Sequence, residues 1–330
     1  MKPDFNKLMD LSHKFQISKI FFVACELDIF SHLSAKSKNI SELSKVLSIN
    51  AGSLEIFLNG LVAIGVLRKE KDLYSNSPEA EEYLVKEKPN YRGAIFKHIH
   101  HGWEEWSDLQ KTLISGKNIG GVQDFWLKEN RERVNAFIWG MDNLARDLAP
   151  VVLTYLNLDG KRNMLDLGGG PGTYSITFLK SYKDLNSTIF DLPLTQEIAK
   201  ENIKKNKMQK RISLRSGDFL KDDIGGCYDF IWMSHILHSN SEEDCEFLIK
   251  KVYTSLGPSG MVGIHDFVLN KDKVSPPFAA IFGVHMLAVT EKGRTYTYEE
   301  ISRWLKNAGF KDIEVMDVSE VTKLIRAEKS

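Results

Sequence analysis

The chain has 330 residues, of which 42% are hydrophobic and 27% are charged, a balance typical of a folded globular protein. Its length favours two domains over a single hydrophobic core. The 44 basic residues equal the 44 acidic ones, which argues against a protein that binds nucleic acid mainly by neutralising phosphates.

The N-terminal sequence MKPDFNKLMDLSHKF has no uninterrupted apolar core of the kind a signal peptide needs. No window of the chain approaches 18 apolar residues, so we expect no membrane span. The cysteines Cys25, Cys227 and Cys245 are odd in number and widely spaced, which predicts neither a disulfide framework nor a zinc site. We therefore expect a cytoplasmic protein.

Residues 1–102 are predicted to form a helical, winged-helix-like domain. Apolar residues recur at helical spacing over 8–33, and Asn39 or Ser41 can cap a short second helix. Residues 51–67 form a third, very apolar helix, and 68–74 can be the hairpin of a winged helix-turn-helix.

This pattern also raises the possibility of DNA binding. A recognition helix needs Arg, Lys, Asn or Gln directed at base edges. Residues 51–65 offer one Glu, one Asn and no cation. The third helix is therefore predicted to pack against a partner rather than to read DNA.

Residues 103–158 are predicted to form a helical linker that contributes to a substrate pocket. This region is rich in tryptophan, with Trp103, Trp106, Trp126 and Trp139. Just before it, His98 and His101 share a helical face, but no Cys, Asp or second pair of His completes a site. The sequence thus predicts no bound metal ion.

From residue 159 onward, short apolar runs alternate with amphipathic helices, which predicts a parallel sheet covered on both faces. The predicted strands are 163–167, 188–191, 212–215, 228–233, 261–268, 312–317 and 322–326. The predicted helices are 174–181, 194–206, 242–256 and 298–308. Because the last two strands are joined by a short connection, we expect them to form an antiparallel hairpin at the sheet edge.

The sharpest local signal is the loop Met164-Leu-Asp-Leu-Gly-Gly-Gly-Pro-Gly-Thr-Tyr174, between a predicted strand and a predicted helix. A glycine turn in that context lets a ligand approach the backbone closely. A dinucleotide-binding loop would need a third glycine where this chain has Thr173. S-adenosylmethionine carries an ammonium and a sulfonium group, so the acidic Asp166 beside the loop favours that cofactor.

Two further acids follow predicted strands. Asp191 can accept hydrogen bonds from both hydroxyls of a ribose, and Asp218 with Phe219 can bind adenine by a hydrogen bond and ring stacking. Each acid alone is also an ordinary turn residue. Together with the glycine loop, they converge on the crevice at the switch point of such a sheet.

With these motifs, and with Ser234-His-Ile-Leu-His238, the chain resembles the class I O-methyltransferases of the acetylserotonin and plant caffeic-acid type. Val23-Ala-Cys-Glu-Leu-Asp-Ile-Phe30 is similar to the dimerisation domain of that family. The resemblance implies a Rossmann-like seven-stranded sheet at 159–330 and a homodimer formed through the N-terminal domain. It also implies the following cofactor-binding residues: Asp166, Gly168, Gly170, Asp191, Leu192, Asp218, Phe219 and Ser234.

The resemblance further implies a catalytic base. Removing the proton of a phenol needs a base near neutrality, and imidazole suits this role. His238 matches the catalytic histidine of the family, whereas His235 in the same turn is expected to be structural. Asp266 matches one acidic partner of that histidine.

Two positions depart from the family pattern. The family commonly continues His-Asp-Trp where this chain reads His238-Ser-Asn240. The second acidic partner should lie just before Arg294, where this chain has Gly293. Glu291 is close but offset, and it is the candidate for that role.

The acceptor pocket is predicted from position and resemblance to include Phe137, Met141, His285 and Met286. We therefore expect an S-adenosylmethionine-dependent O-methyltransferase acting on a small hydroxylated, aromatic acceptor. Three alternatives remain open: methyl transfer to sulfur or carbon, a non-methylating regulator that uses the winged-helix part, and a nicotinamide-dependent oxidoreductase. Thr173 and Asp166 disfavour the last.

Overall fold

The computed structural model describes residues 3–117 and 130–329, and the chain divides into two compact units, 1–101 and 102–330. The region 103–158 thus belongs to the second unit. Trp126 of that region lies outside the described residues. No single described helix is long and apolar enough to cross a membrane, although the bent pair Ile40–Leu47 and Ala51–Ala63 passes that test together.

The first unit contains six helices and one hairpin among its described residues. In chain order they are α1 (Phe5–Glu26), α2 (Ile29–Leu33), α3 (Ile40–Leu47), α4 (Ala51–Ala63), β1 (Leu67–Glu70), β2 (Leu73–Asn76), α5 (Pro78–Tyr83) and α6 (Gly93–His101). The predicted first helix is broken after Glu26, because Asp28 adopts a left-handed φ of 54°. Asn39 caps α3 in a reciprocal capping box with Glu42.

The third helix packs inward, and its C-terminal end is earlier than predicted. Leu54, Leu58 and Leu61 share one face of α4 and are fully buried, as expected for residues spaced four and three apart. The helix ends at Ala63, and Leu67 already begins the antiparallel hairpin β1–β2. Two helices followed by a hairpin are the element order of a winged helix.

The second unit alternates strands and helices. In chain order they are α7 (Trp103–Ser107), α8 (Leu109–Ser115), α9 (Arg131–Leu153), β3 (Asn163–Leu167), α10 (Thr173–Ser181), β4 (Asn186–Asp191), α11 (Pro193–Lys205), β5 (Ile212–Ser216), β6 (Tyr228–Ser234), α12 (Glu242–Ser255), β7 (Leu256–Asp266), β8 (Val268–Leu269), α13 (Pro277–Val289), β9 (Tyr296–Thr297), α14 (Tyr298–Ala308), β10 (Phe310–Asp317) and β11 (Lys323–Lys329). A short 3-10 turn, Leu237–Ser239, follows β6.

The sheet has seven strands in the order β10-β11-β7-β6-β3-β4-β5, which confirms the predicted fold class. The strands from β7 to β5 are parallel, and β10 and β11 form the expected antiparallel hairpin at one edge. Helix α13 was not predicted from the sequence. Because α13 is apolar on nearly all sides, it lacks the alternation of apolar and polar faces by which the other helices were found.

The sheet is buried on both faces. Along β6, Phe230 and Trp232 belong to one core cluster, whereas Ile231 and Met233 belong to the other, as the two-residue period of a strand requires. With both faces covered, ligands can reach this sheet only at the strand ends. The strand order reverses at β3, with β4 on one side of it and β6 on the other, which places the binding crevice at the carboxyl ends of β3, β4 and β6.

Candidate active site

The glycine loop turns sharply between β3 and α10. Gly168, Gly170 and Gly172 all have positive φ, of 64°, 54° and 76°, which side chains other than glycine rarely adopt. A Cβ on Gly168 would overlap the side chain of Ile236, whereas one on Gly170 would meet no atom within 4 Å. The loop is therefore packed at its start against the segment after β6 and open to a ligand at Gly170.

Asp166 lies beneath this loop rather than beside the crevice. Its carboxylate is 1% exposed and accepts a 2.6 Å hydrogen bond from the hydroxyl of Ser175 on α10. Burial raises the pKa of Asp166 to about 6, against the hydrogen bonds from Ser175 that lower it. The hydrogen bond to Ser175 therefore anchors α10 beneath the loop.

Asp191, at the end of β4, connects the loop to the next strand. Its carboxylate oxygens accept hydrogen bonds of 2.7 Å from the backbone N–H groups of Gly170 and Leu192. Burial raises the pKa of Asp191, and these N–H groups partly offset that effect. Each oxygen retains lone pairs, so the side chain can still accept hydrogen bonds from a ribose.

Asp218 and Phe219 follow β5, beyond Asp191. Partial burial opposes ionisation of Asp218, but its ion pair with Lys221, at 2.8 Å, and the N–H of Leu220 lower its pKa. The ring of Phe219 is half-buried and lies 3.8 Å from the position that a Cβ on Gly168 would occupy. The ring of Phe219 therefore lies beside the glycine loop, and Asp218 precedes it in the chain.

Ser234 ends β6 and joins a buried polar network. Its hydroxyl lies 3.2 Å from Nδ1 of His265, which is also 3.1 Å from the hydroxyl of Tyr174. The other ring nitrogen of His265 lies 2.9 Å from the hydroxyl of Thr322. Burial keeps the pKa of His265 well below its ordinary value, so this ring is a neutral structural link behind the crevice.

His238 and Asp266 form the closest acid–base pair of the site. Nδ1 of His238 lies 2.6 Å from Oδ1 of Asp266, and their exposures are 9% and 2%. Although burial opposes its ionisation, the neighbouring His238 and the backbone N–H of Phe267 lower the pKa of Asp266. The ionised carboxylate therefore accepts a hydrogen bond from a protonated Nδ1, which leaves Nε2 of His238 with a free lone pair.

The residues that replace the Asp-Trp of the family pattern close the turn that carries the base. The side chains of Ser239 and Asn240 donate hydrogen bonds of 2.9 Å and 2.6 Å to the carbonyl of Ile236. The hydroxyl of Tyr296 donates a 2.6 Å hydrogen bond to the carbonyl of Asn240. Ser and Asn at these positions therefore hold the turn that presents His238.

The structure does not bring Glu291 to the base. Glu291 is exposed, and no hydrogen bond or ion pair between the described residues joins it to His238. At Gly293, a Cβ would overlap the carbonyl oxygen of His238 and crowd Thr290. The backbone at 293 therefore packs directly on the base-bearing turn, with no room for an acidic side chain, and Asp266 is the carboxylate that contacts His238.

His235 lies in the same turn with two unusual features. Its φ is 58°, in the left-handed region, and its buried Nδ1 has no hydrogen-bond partner among the described residues. Burial lowers the pKa of His235 to about 4. His235, His238 and Asp266 are also the one group within residues 3–117 and 130–329 that could hold a metal ion, and it includes neither His98 nor His101.

Aromatic rings that the sequence analysis missed surround His238. The ring of Phe282 is 4.9 Å from that of His238, and the ring of Phe267 is 4.2 Å from that of Phe282. Phe278 lies 5.5 Å from Phe267 and is 46% exposed. The spacing of 278, 282 and 285 places three rings on one face of α13, a signal that could have found them once that helix was recognised.

The four predicted pocket residues fall in two places. His285 on α13 lies 5.4 Å from Phe282 and accepts a 3.0 Å hydrogen bond from the indole N–H of Trp106. Burial lowers the pKa of His285 to about 4. Met286 is 5% exposed and packs within the core. Phe137 and Met141 are half-buried on α9, and Phe137 packs in a separate cluster.

Family comparisons agree with this geometry. Residues 106–311 match the model of an O-methyltransferase domain, which covers more than half of the chain. Residues 9–86 match the model of an O-methyltransferase dimerisation domain.

Individual relatives align along almost the whole chain. The tetracenomycin polyketide synthesis 8-O-methyl transferase TcmO of Streptomyces glaucescens is 29% identical over 94% of this chain and 93% of its own length. The acetylserotonin O-methyltransferase of Gallus gallus is 28% identical over 93% and 92%. The structure of human N-acetylserotonin methyltransferase in complex with SAM superposes with a TM-score of 0.90 at 23% identity, covering 100% and 99% of the two chains, and shows a common fold.

Proposed function

Because this chain belongs to the O-methyltransferase family, we propose that it transfers a methyl group from S-adenosylmethionine to the hydroxyl of a small aromatic acceptor. The observation that carries the proposal is the His238–Asp266 pair, which contacts the ring of Phe282 and follows Ile236, whose side chain lies against Gly168. A hydroxylated aromatic acceptor also suits the similarity to relatives such as the 3-hydroxy-5-methyl-1-naphthoate 3-O-methyltransferase of Streptomyces sahachiroi.

The residues of the crevice fit the cofactor. Gly170 opens onto free space, and the carboxylate of Asp191 beside it has unused lone pairs. We assign contact with the cofactor to Gly168, Gly170, Asp191, Leu192, Asp218, Phe219 and Ser234. Asp166 supports the loop from below. S-adenosylmethionine, when bound, supplies an electrophilic methyl group on a sulfonium.

His238 is the general base that acts on the acceptor hydroxyl. Its Nε2 lone pair takes the proton of the acceptor hydroxyl, while Asp266 holds the ring through Nδ1 and stabilises the imidazolium that forms. Phe267, Phe278 and Phe282 hold the aromatic body of the acceptor by ring contacts. With Glu291 exposed and Gly293 without a side chain, a single carboxylate orients the base.

Replacing His238 with Ala tests this function. With a panel of phenols as acceptors, we expect turnover to fall by roughly 10²- to 10⁴-fold, while calorimetry shows unchanged affinity for S-adenosylmethionine. Unchanged turnover would remove His238 from the role of base. If the original protein and the His238→Ala variant methylate thiols or carbon acceptors equally well, this result would instead favour methyl transfer to sulfur or carbon, because that reaction needs little or no base.

We also propose a homodimer formed through the first unit, whose sequence matches a dimerisation domain. Apolar residues at helical spacing along α1 are largely exposed in the single chain, namely Phe5, Leu8, Leu11 and Phe15. A partner chain that covers this face would remove it from water. A solution mass of one chain, 37.6 kDa, in place of two would contradict the proposal.

A further inference from the structure

The geometry of His235, His238 and Asp266 goes beyond what methyl transfer requires. One atom from each residue lies within 4.8 Å of the other two. Nδ1 of His235 is 3.9 Å from Oδ1 of Asp266, beyond hydrogen-bond distance, and Nδ1 of His238 is 2.6 Å from the same oxygen. One carboxylate oxygen therefore lies between two imidazole nitrogens.

His235 occupies this position although its backbone conformation and its unpaired buried nitrogen are both energetically unfavourable. Its backbone is in the left-handed region, yet its N–H still donates a 2.8 Å hydrogen bond to the carbonyl of His265. Its ring packs on Phe267 at 4.8 Å. Strained backbone and unpaired buried polar atoms concentrate at functional sites, and the unpaired nitrogen here faces the acid.

The chemistry of the three groups matches zinc. Two imidazole nitrogens and one carboxylate oxygen are a set of protein ligands that binds Zn²⁺ and leaves a fourth position open. Bond lengths of about 2.0–2.2 Å in a tetrahedral site separate neighbouring ligand atoms by roughly 3.3 Å. The distances of 2.6 Å and 3.9 Å to Asp266 lie on either side of that value, and the three ligand atoms all lie within 4.8 Å of one another.

We propose that His235, His238 and Asp266 form a zinc site that inhibits the enzyme. Zinc bound to Nδ1 of His238 takes the place of the proton there. The single proton of the neutral ring then resides on Nε2, whose lone pair is lost, and the histidine no longer accepts a proton from the acceptor hydroxyl. Inhibition rests on the proposed function of His238, whereas metal binding does not.

The test uses the full-length protein, with Cys227→Ser as the background, because that thiol is exposed and thiolates are zinc ligands. His235→Asn removes one ligand and keeps a residue that tolerates left-handed φ. His13→Asn, which changes an exposed histidine on α1, is the matched control. Calorimetry with ZnCl₂ and visible absorption with CoCl₂ measure binding, and methyl transfer with and without zinc measures inhibition.

We expect one zinc ion per chain, a tetrahedral Co²⁺ spectrum, and binding weakened roughly 100-fold in His235→Asn alone. Micromolar zinc should inhibit the background protein and the His13 control, with recovery on adding EDTA, and spare His235→Asn. Equal binding in all three proteins, or no binding, would overturn the site. Because the Co²⁺ spectrum needs no acceptor, it tests the site even where methyl transfer fails, and binding at the site without inhibition would overturn the inhibitory role.

Discussion

Replacing Asp266 with Asn should remove the negative charge that orients His238. The carboxylate accepts hydrogen bonds from Nδ1 of His238 at 2.6 Å and from the N–H of Phe267 at 2.8 Å through Oδ1. It also accepts one from the N–H of Leu237 at 3.1 Å through Oδ2. An amide cannot satisfy all of these donors, since one of its two ends is itself a donor.

Either orientation of the amide harms catalysis. With its oxygen toward His238, the NH₂ group opposes the N–H of Leu237 and strains the turn. With its NH₂ group toward His238, Nδ1 must accept, so the proton moves to Nε2 and the base is blocked. In both cases the imidazolium formed during the reaction loses the attraction of a carboxylate.

The expected magnitude follows from that attraction. Two unit charges whose centres are about 4 Å apart attract by about 4 kcal/mol at an effective dielectric constant near 20. At 1.36 kcal/mol for each tenfold change in rate, this corresponds to roughly a thousandfold loss of turnover. That value lies within the range of about 10²- to 10⁴-fold that general bases contribute.

The assay compares two acceptors with each protein. Initial rates of methyl transfer are measured on an ordinary phenol and on a more acidic, nitro-substituted phenol. Because the second is largely ionised without help, the Asp266→Asn variant should lose much less activity on it. Affinity for S-adenosylmethionine should be unchanged. Asp229→Asn is the control, because Asp229 also accepts backbone N–H bonds, at the opposite end of the sheet.

Two results would refute this reasoning. One is turnover within a few-fold of the original protein on the ordinary phenol. The other is an equal loss on both phenols, which would mean that Asp266 supports the structure of the site but not the proton transfer.

Three further predictions concern other parts of the site. Asp191→Ala should weaken S-adenosylmethionine binding by roughly 100-fold in calorimetry, because charge-assisted hydrogen bonds to the ribose are lost; undiminished affinity would remove Asp191 from the cofactor site. The folded-state pKa of Asp166 is raised from 3.8 to about 6, so the protein should lose roughly 2 kcal/mol of stability as pH rises from 4 to 6. Denaturant unfolding should show a flatter pH dependence in Asp166→Asn over that interval, and parallel curves would contradict the assignment. Phe282→Ala should raise the KM for aromatic acceptors roughly tenfold through lost ring contacts, and an unchanged KM would place the acceptor elsewhere.

The fold was largely predictable because its signals are local. The central strands contain short apolar runs near turns, and glycine loops such as 168–172 mark where a strand passes into a helix. α13 was missed because its sequence is apolar on nearly every side, and such a sequence carries no periodic alternation of apolar and polar faces. The break at Asp28 was missed because the apolar spacing continues across it.

The sequence by itself determined where the chemistry lies along the chain: a glycine loop after the first parallel strand, acids after the next two, and the segment from Ser234 to Asp266 that carries the base and its partner. Strand order then brings these together, since parallel strands present their carboxyl ends at one edge. Only the tertiary structure decided the direction of each side chain. It turned Asp166 inward to Ser175, left Glu291 in solvent, and placed the backbone of Gly293 against His238. The spacing of residues along the chain predicts where each residue lies within a helix or strand. Side-chain contacts depend instead on the distance between segments that are far apart in the sequence, and residue spacing does not encode that distance.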